Sequence, residues 1–407
     1  MPDHALRILH LACHSANIGD NANVMGIQRL LREDLGRDIS FTNEDMLEYR
    51  GKWGRREYTG EDFIDLVNAH DLLVIGGGGL FSPDRRQPTG CPVGLTVQTL
   101  ERIEIPVVYY ALGFASYPGE RVPAETRDAF AAYLPAVVSR DRTLVSVRND
   151  GSRARLAQCF SSEVIAGVET VPDGGFYVPT SEGEHKELPA RRPVIAVQLA
   201  GDKQRLRFSE PDDPLRRASR VLGLQCDGLH SRKQLRFLRA FTAVIEELFS
   251  EAGCSFVFVP HIPADLSIIH RAMAMLPIRI SRAHSSVAPV VTGEAAARGK
   301  FDFYSKVDLV IGMRFHSNVC SVGLEVPTVG LGTHPQLAGL YGELGIPERC
   351  VEVADPHAGS RITKLAREAL SSPGIVREEY RRIAQRLRET SRGFHARIAR
   401  LLEHGRR

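Results

Sequence analysis

Short β-branched runs alternating with amphipathic segments constrain this chain more than any other feature of its sequence. Leu6–Ala12, Leu72–Ile75, Val107–Leu112 and Leu144–Val147 read as strands, and Asn21–Leu35 reads as a helix between the first two. Strand, helix, strand in this rhythm requires crossover connections, and so a parallel sheet with helices on both faces. The rhythm stops at Val178–Pro193, VPTSEGEHKELPARRP, where Pro, Gly and charge leave almost nothing apolar to pack. That stretch predicts a linker. Beyond it Val194–Leu199, Ser255–Pro260, Asp308–Gly312 and Thr328–Leu331 read as strands, and Lys233–Glu251 and Phe315–Gly323 as helices.

The 407 residues also exceed the size at which a single core usually keeps growing. The expected architecture is α/β: two Rossmann-like, doubly wound domains in tandem, residues 1–183 and 190–375. Residues 376–407 form a C-terminal helix whose stripe of Tyr380, Ile383, Leu387, Phe394, Ile398 and Leu401 is expected to pack back on the first domain. Residues 201–230 fit no regular element and are rich in cations, which suits a functional loop or an insertion.

With 52 Lys and Arg against 49 Asp and Glu, the formal charge of +3 gives no basis for a nucleic-acid or membrane surface. Any anion site must be local. The start, MPDHALRILHLAC, has no secretory signal pattern, and no apolar run reaches the roughly 18 residues of a membrane helix. Seven cysteines without a CxxC fit neither a zinc site nor a disulfide framework. These features predict a soluble chain in the cytoplasm, and homo-oligomerisation is compatible with them.

Four segments carry candidate chemistry at the carboxyl edges of these strands, where open α/β sheets bind ligands. Asn17-Ile18-Gly19-Asp20 opens the first helix, whose free N–H groups favour an anion or polar ligand; Asp20 equally reads as an ordinary N-cap. Gly76–Gly79 follows a buried strand, and Gly77 and Gly78 could bring backbone N–H groups against a ligand. It is not a GxGxxG, and no acidic residue stands where NAD binding would need one. Arg148 ends another strand and could reach an anion, or form a surface ion pair. The sharpest signal is Ile311-Gly312-Met313-Arg314-Phe315-His316: a strand delivers Arg314, which can hold a carboxylate or phosphate, and His316, which can move a proton, into the first turn of a helix. No metal-ligand cluster stands out, and His261 with Asp265 reads as an acceptor-side or capping pair.

The order of these segments resembles the polysaccharide pyruvyl transferases. The match is carried by Asn17-x-Gly19-Asp20, the Asp71–Phe81 glycine run, Val147–Ser152, Pro172-Asp173, Ile311–His316 and Val326–Leu331, and it spans about residues 8–346. The resemblance implies a GT-B-like pair of domains with the active site in the interdomain cleft. It implies phosphoenolpyruvate as co-substrate with no further cofactor, and a sugar or lipid-linked saccharide as acceptor. On this reading Arg314 holds the donor's phosphate or carboxylate and His316 carries the proton. Asn17, Asp20, Gly77, Gly78 and Arg148 belong to the acceptor side or cleft.

Two positions depart from the family pattern. Relatives carry an Arg after the strand that here ends Gln198-Leu199-Ala200, so Lys203, Arg205 and Arg207 are the replacement donor-binding cations. Relatives also commonly carry a Lys where Gln336 stands, and His334 beside it is a further donor-binding candidate, next in line to His316 as proton carrier. The alternatives are a GT-B glycosyltransferase using a nucleotide sugar, for which Glu325 and Gly330–Gly332 are a weak signature, and a catalytically degenerate sugar-binding relative.

Overall fold

The structure, a computed structural model, describes residues 5–14, 17–50, 54–117, 120–208 and 227–404. Six strands form the first sheet: β1 (Leu6–Ala12), β2 (Ile39–Asp45), β3 (Leu72–Gly78), β4 (Val107–Leu112), β5 (Thr143–Arg148) and β6 (Val168–Val171), in the order β2-β1-β3-β4-β5-β6. Six more form the second: β7 (Val194–Gln198), β8 (Ser255–Phe258), β9 (Ser285–Val287), β10 (Leu309–Gly312), β11 (Thr328–Gly332) and β12 (Cys350–Glu352), in the order β12-β11-β10-β7-β8-β9. All the pairings are parallel. The fold is thus the expected tandem of Rossmann-like units. In each sheet the order reverses beside the first strand, β1 or β7, and the carboxyl ends of β1, β3, β7 and β10 lie on the side where open α/β sheets bind ligands.

The central strands are buried on both faces, which is why they read as unbroken apolar runs: β3 and β4 have no exposed residue. The four strands that the sequence reading missed, β2, β6, β9 and β12, lie at sheet edges or are three to four residues long. β2 has no fully buried residue and carries Asn43, Glu44 and Asp45, so its composition looks like a loop.

The C-terminal helix, Pro373–His404, ties the two units together. Its far end buries Phe394, Ile398 and Leu402 against Ile8, Leu72 and Val74 of the first sheet, a gain of about 1.5–3 kcal/mol for each fully buried side chain. Its near end packs Tyr380 and Ile383 against the second unit, with the Tyr380 hydroxyl 2.7 Å from Thr328 Oγ1. Between them Asp34 takes two bonds from Arg388 (2.5 and 2.6 Å) and one contact at 2.6 Å from His395, whose other nitrogen meets the Tyr110 hydroxyl at 2.7 Å. Burial would raise the Asp34 carboxyl, but Arg388 and His395 hold it below its usual range. The units also touch directly, since the Gly151 N–H donates to Glu343 Oε1 at 2.8 Å. Of the 201–230 segment, Gln204–Arg207 is a single helical turn and a long helix begins at Asp227; 209–226 lie outside the described residues.

Candidate active site

A cavity of about 510 Å³ lies between the two sheets. Asn17, Asp20, Gly78, Arg148, Lys203, Arg207, Arg314, His316 and His334 all line it, although they come from segments spread over the whole chain. Gly77 does not line it, and the Arg205 side chain lies outside the described residues. Ala200 is buried elsewhere, its N–H against the Met313 sulfur, while Gln336 does face the cavity.

The glycine turn is constrained where expected. Strand β3 continues through Gly76 (φ +155°), Gly77 (φ +82°) and Gly78 (φ +106°). A Cβ on Gly76 would stand 2.2 Å from the Tyr110 carbonyl oxygen, and one on Gly77 would stand 2.9 Å from the Asn23 side chain. These positions need glycine because both the backbone angle and the space exclude a side chain. A Gly78 Cβ would instead face Asp20 Oδ1 at 3.6 Å, across the open side of the turn.

Asn17, rather than Asp20, caps the first helix: its Oδ1 accepts the Gly19 N–H at 2.8 Å, and its Nδ2 donates to Asp20 Oδ2 at 2.6 Å. Asp20 is therefore turned to the cavity. Burial raises its carboxyl above the usual range, against the opposing pull of His316. His316 Nε2 stands 3.4 Å from Asp173 Oδ1, an electrostatic contact longer than a well-formed hydrogen bond. Asp173 also accepts from Asn23 (2.7 Å) and the Gly175 N–H (2.8 Å). Burial alone would raise the Asp173 carboxyl, but His316, Arg148 and Gly175 together hold it low. A carboxylate thus faces one nitrogen of the imidazole, and Gly19 packs against the other.

That packing yields a prediction. A Cβ at Gly19 would stand 2.4 Å from His316 Nδ1 and 2.8 Å from Asn17 Oδ1. Gly19→Ala should displace the imidazole and lower turnover about tenfold to 10²-fold. Stability should change by less than about 1 kcal/mol, because alanine recovers helix propensity. Steady-state kinetics beside urea unfolding tests this, and wild-type turnover would show that His316 tolerates the shift.

Arg314 is more committed than its sequence position suggested. Its guanidinium donates to Asp265 Oδ2 (2.9 Å) and Oδ1 (2.5 Å) and to Asp202 Oδ1 (2.7 Å), and its main-chain N–H donates to Gln198 Oε1 at 2.7 Å. Only Nη1 has no partner among the described residues. Asp265 does act as a cap, accepting the His261 and Ile262 N–H groups, but its other role is to fix Arg314. Asp202 and Asp265 were not legible as partners, since nothing in the spacing couples positions 202, 265 and 314.

Arg148 corrects the surface-pair reading. It is 3% exposed, donates to Asp150 at 2.7 Å, lies 3.4 Å from Asp173, and has its guanidinium 4.0 Å from the centre of the Phe315 ring. It is a buried strut between the two units that reaches the cavity wall.

Lys203 and Arg207 face Tyr117, at 5.2 and 5.6 Å from the ring centre, and His334 meets the same ring edge-on at 4.3 Å. Tyr117 is on the first unit, so one aromatic ring organises three polar groups of the second. Arg207 is further tied to Asp202 and Thr333. His334 Nδ1 accepts the Gln336 N–H at 3.3 Å as helix cap. Burial, then Arg207, Arg148 and Lys203, pushes His334 down to about 3. A neutral imidazole whose Nδ1 is an acceptor is a poor acid, which argues against His334 as the reserve proton carrier. Sequence reading also missed Arg50, Ser82, Arg86 and Glu120 on the first-unit wall, whose loops carry no periodic signal.

The buried histidines set an acid limit on stability. His10, packed at 3.1 Å from the Gly76 carbonyl oxygen, is pushed down to about 3 by burial and then His14. Below an unfolded value of about 6.5 the unfolded chain binds protons that folded His10 and His334 refuse. Their contribution is complete above about pH 6.5 and declines as pH falls, by about 1.4 kcal/mol per pH unit for each group. Urea unfolding from about pH 7.5 to about pH 5 should show this slope, and His334→Asn, which keeps a capping acceptor, should flatten it. An unchanged slope would remove His334 from the account.

The two parallel α/β units, with a cation-lined cavity between them, make up a GT-B-like fold. Two solved structures share the fold: α,α-trehalose 6-phosphate synthase from Burkholderia multivorans (12% identity, 98% of each chain, TM-score 0.53), and a Listeria monocytogenes protein assigned as a UDP-N-acetylglucosamine 2-epimerase (12% identity, 94% of this chain and 91% of that one, TM-score 0.50). No curated protein matches the chain in sequence. Residues 17–335 match the family model of the polysaccharide pyruvyl transferases, and the chain belongs to that family of transferases. The weak nucleotide-sugar signature does not face the cleft: Glu325 pairs with Arg381 at 2.8 Å on the surface, and Gly330–Gly332 lie within β11. Among the described residues no helix is long and apolar enough to cross a membrane.

Proposed function

We propose that the chain transfers a pyruvyl group from phosphoenolpyruvate to two hydroxyls of a sugar, closing a cyclic ketal. The observation that supports it most is the gathering of His316, Arg314, Lys203 and Arg207 around one cavity, in a member of this family. Protonating the enol carbon of the donor makes a methyl group and an electron-poor C2. One sugar hydroxyl adds there, phosphate leaves with its bonding electrons, and the second hydroxyl closes the ring. Of the two hydroxyl protons, the balance places one in the methyl group and one on phosphate. His316, flanked by Asp173, is the proton carrier. The cations hold the donor, and the Asn17–Asp20 wall with the glycine turn faces the acceptor, a free or lipid-linked saccharide in surface-glycan synthesis. We place the reaction in the cytoplasm, in keeping with six free cysteines among the described residues, five of them buried.

Phosphate release from phosphoenolpyruvate, assayed against a panel of nitrophenyl and lipid-linked sugars, tests the proposal, with UDP-sugars in parallel. Donor binding should weaken with salt. Calorimetry showing tight UDP-sugar binding and no phosphoenolpyruvate binding would replace this reading with a glycosyltransferase.

A further inference from the structure

Of the three histidines on the cavity wall the reaction above uses His316, and His334 is spent as a helix cap; His261 has no role yet. It is 2% exposed, and its ring is enclosed edge-on by Phe301 and Tyr304. Nε2 lies 2.8 Å from the Tyr304 hydroxyl, while Nδ1 is buried with no partner. Its main-chain N–H donates at 2.9 Å to Asp265, the carboxylate that also grips Arg314, so ring and guanidinium share one anchor.

The tautomer follows from counting donors. Tyr304 is fully buried, and its hydroxyl meets no other partner among the described residues. If Nε2 carried the proton, the phenol O–H would be left buried without an acceptor, which folded proteins avoid. The phenol therefore donates to Nε2. Burial, with Arg314, Lys300 and His316 nearby, keeps the imidazole neutral, so its single proton sits on Nδ1. An N–H donor is thus left unspent on a residue that lines the same cavity as Arg314 and shares its Asp265 anchor, and a bound anion would supply the acceptor.

We infer that His261 is a further substrate-binding residue, whose Nδ1–H donates a hydrogen bond to an anionic oxygen of phosphoenolpyruvate held at the Arg314 end of the cleft. This moves His261 from the acceptor side to the donor side. It rests on the donor proposed above, and Tyr304 is the residue that positions it.

The test uses the full chain with 15N-labelled histidine, with phosphoenolpyruvate and inorganic phosphate as separate probes. The free protein should show His261 as the Nδ1–H tautomer, and phosphoenolpyruvate should shift that resonance. His261→Phe, which keeps the ring volume, should weaken phosphoenolpyruvate binding about tenfold, with turnover at saturation within about threefold of wild type. Tyr304→Phe should release the tautomer preference and give a smaller loss. Phosphoenolpyruvate binding that leaves the Nδ1 resonance unmoved, or wild-type affinity in folded His261→Phe, overturns the inference. If His261→Phe fails to fold, the resonance shift in the wild-type protein decides. A shift with inorganic phosphate but no binding of phosphoenolpyruvate sinks the donor proposal and keeps His261 as an oxyanion ligand; no binding of either probe overturns both.

Discussion

Replacing His316 by Gln should lower turnover roughly 10²–10⁴-fold while leaving phosphoenolpyruvate affinity nearly unchanged. Glutamine keeps a hydrogen-bonding group of similar reach but cannot titrate. The imidazole stands 3.4 Å from Asp173 and packs against Gly19, so the substitution leaves the surrounding wall in place. The measurement is made at saturating phosphoenolpyruvate. Turnover close to wild type would assign the proton to another group, and the raised carboxyl of Asp20 would then be the candidate rather than His334, which is held neutral. Arg314→Lys is the contrasting variant. Lysine keeps the charge but cannot bridge Asp265 and Asp202 with a planar fork, so donor affinity and folding stability should both fall, each by about 1–3 kcal/mol.

Arg148→Met should cost roughly 3–5 kcal/mol of stability, because it removes the cation from a buried cluster and leaves its carboxylates in place. Asp150 and Asp173 are both 0% exposed, and the methionine also forfeits the stacking on Phe315. Urea unfolding measures the loss, and adding Asp150→Asn should recover part of it. A loss under about 1 kcal/mol would mean that Asn23, Ser152 and Arg155 suffice to satisfy the two carboxylates. Since Asp173 also faces His316, the single variant should lower turnover as well.

The strands whose pattern depends on burial were legible from composition: β3, β4 and β10 are unbroken runs of apolar residues and glycine because helices cover both their faces, β7 departs from this only at its last residue, Gln198, and β1 only at exposed Arg7 and buried His10. The edge strands were not, because an edge needs neither continuous apolarity nor a strong turn signal; β2 and β12 are held by backbone bonds to a single neighbour. The C-terminal helix was legible for the opposite reason, since a stripe from Tyr380 to Leu401 has meaning only if something covers it.

Residue type and position at a strand end singled out Arg314, His316, Asn17 and the glycine turn, because carboxyl edges of parallel strands gather on one side of a sheet. The partners of those residues were decided only in three dimensions. Asp265 and Asp202 fix Arg314, Tyr117 orders Lys203, Arg207 and His334 from the opposite unit, and the Tyr304 hydroxyl meets His261 Nε2. Sequence specifies which side chains can carry charge or protons. Which of them are spent on the protein and which remain for a ligand depends on long-range pairing, and that pairing exists only once the two sheets face each other.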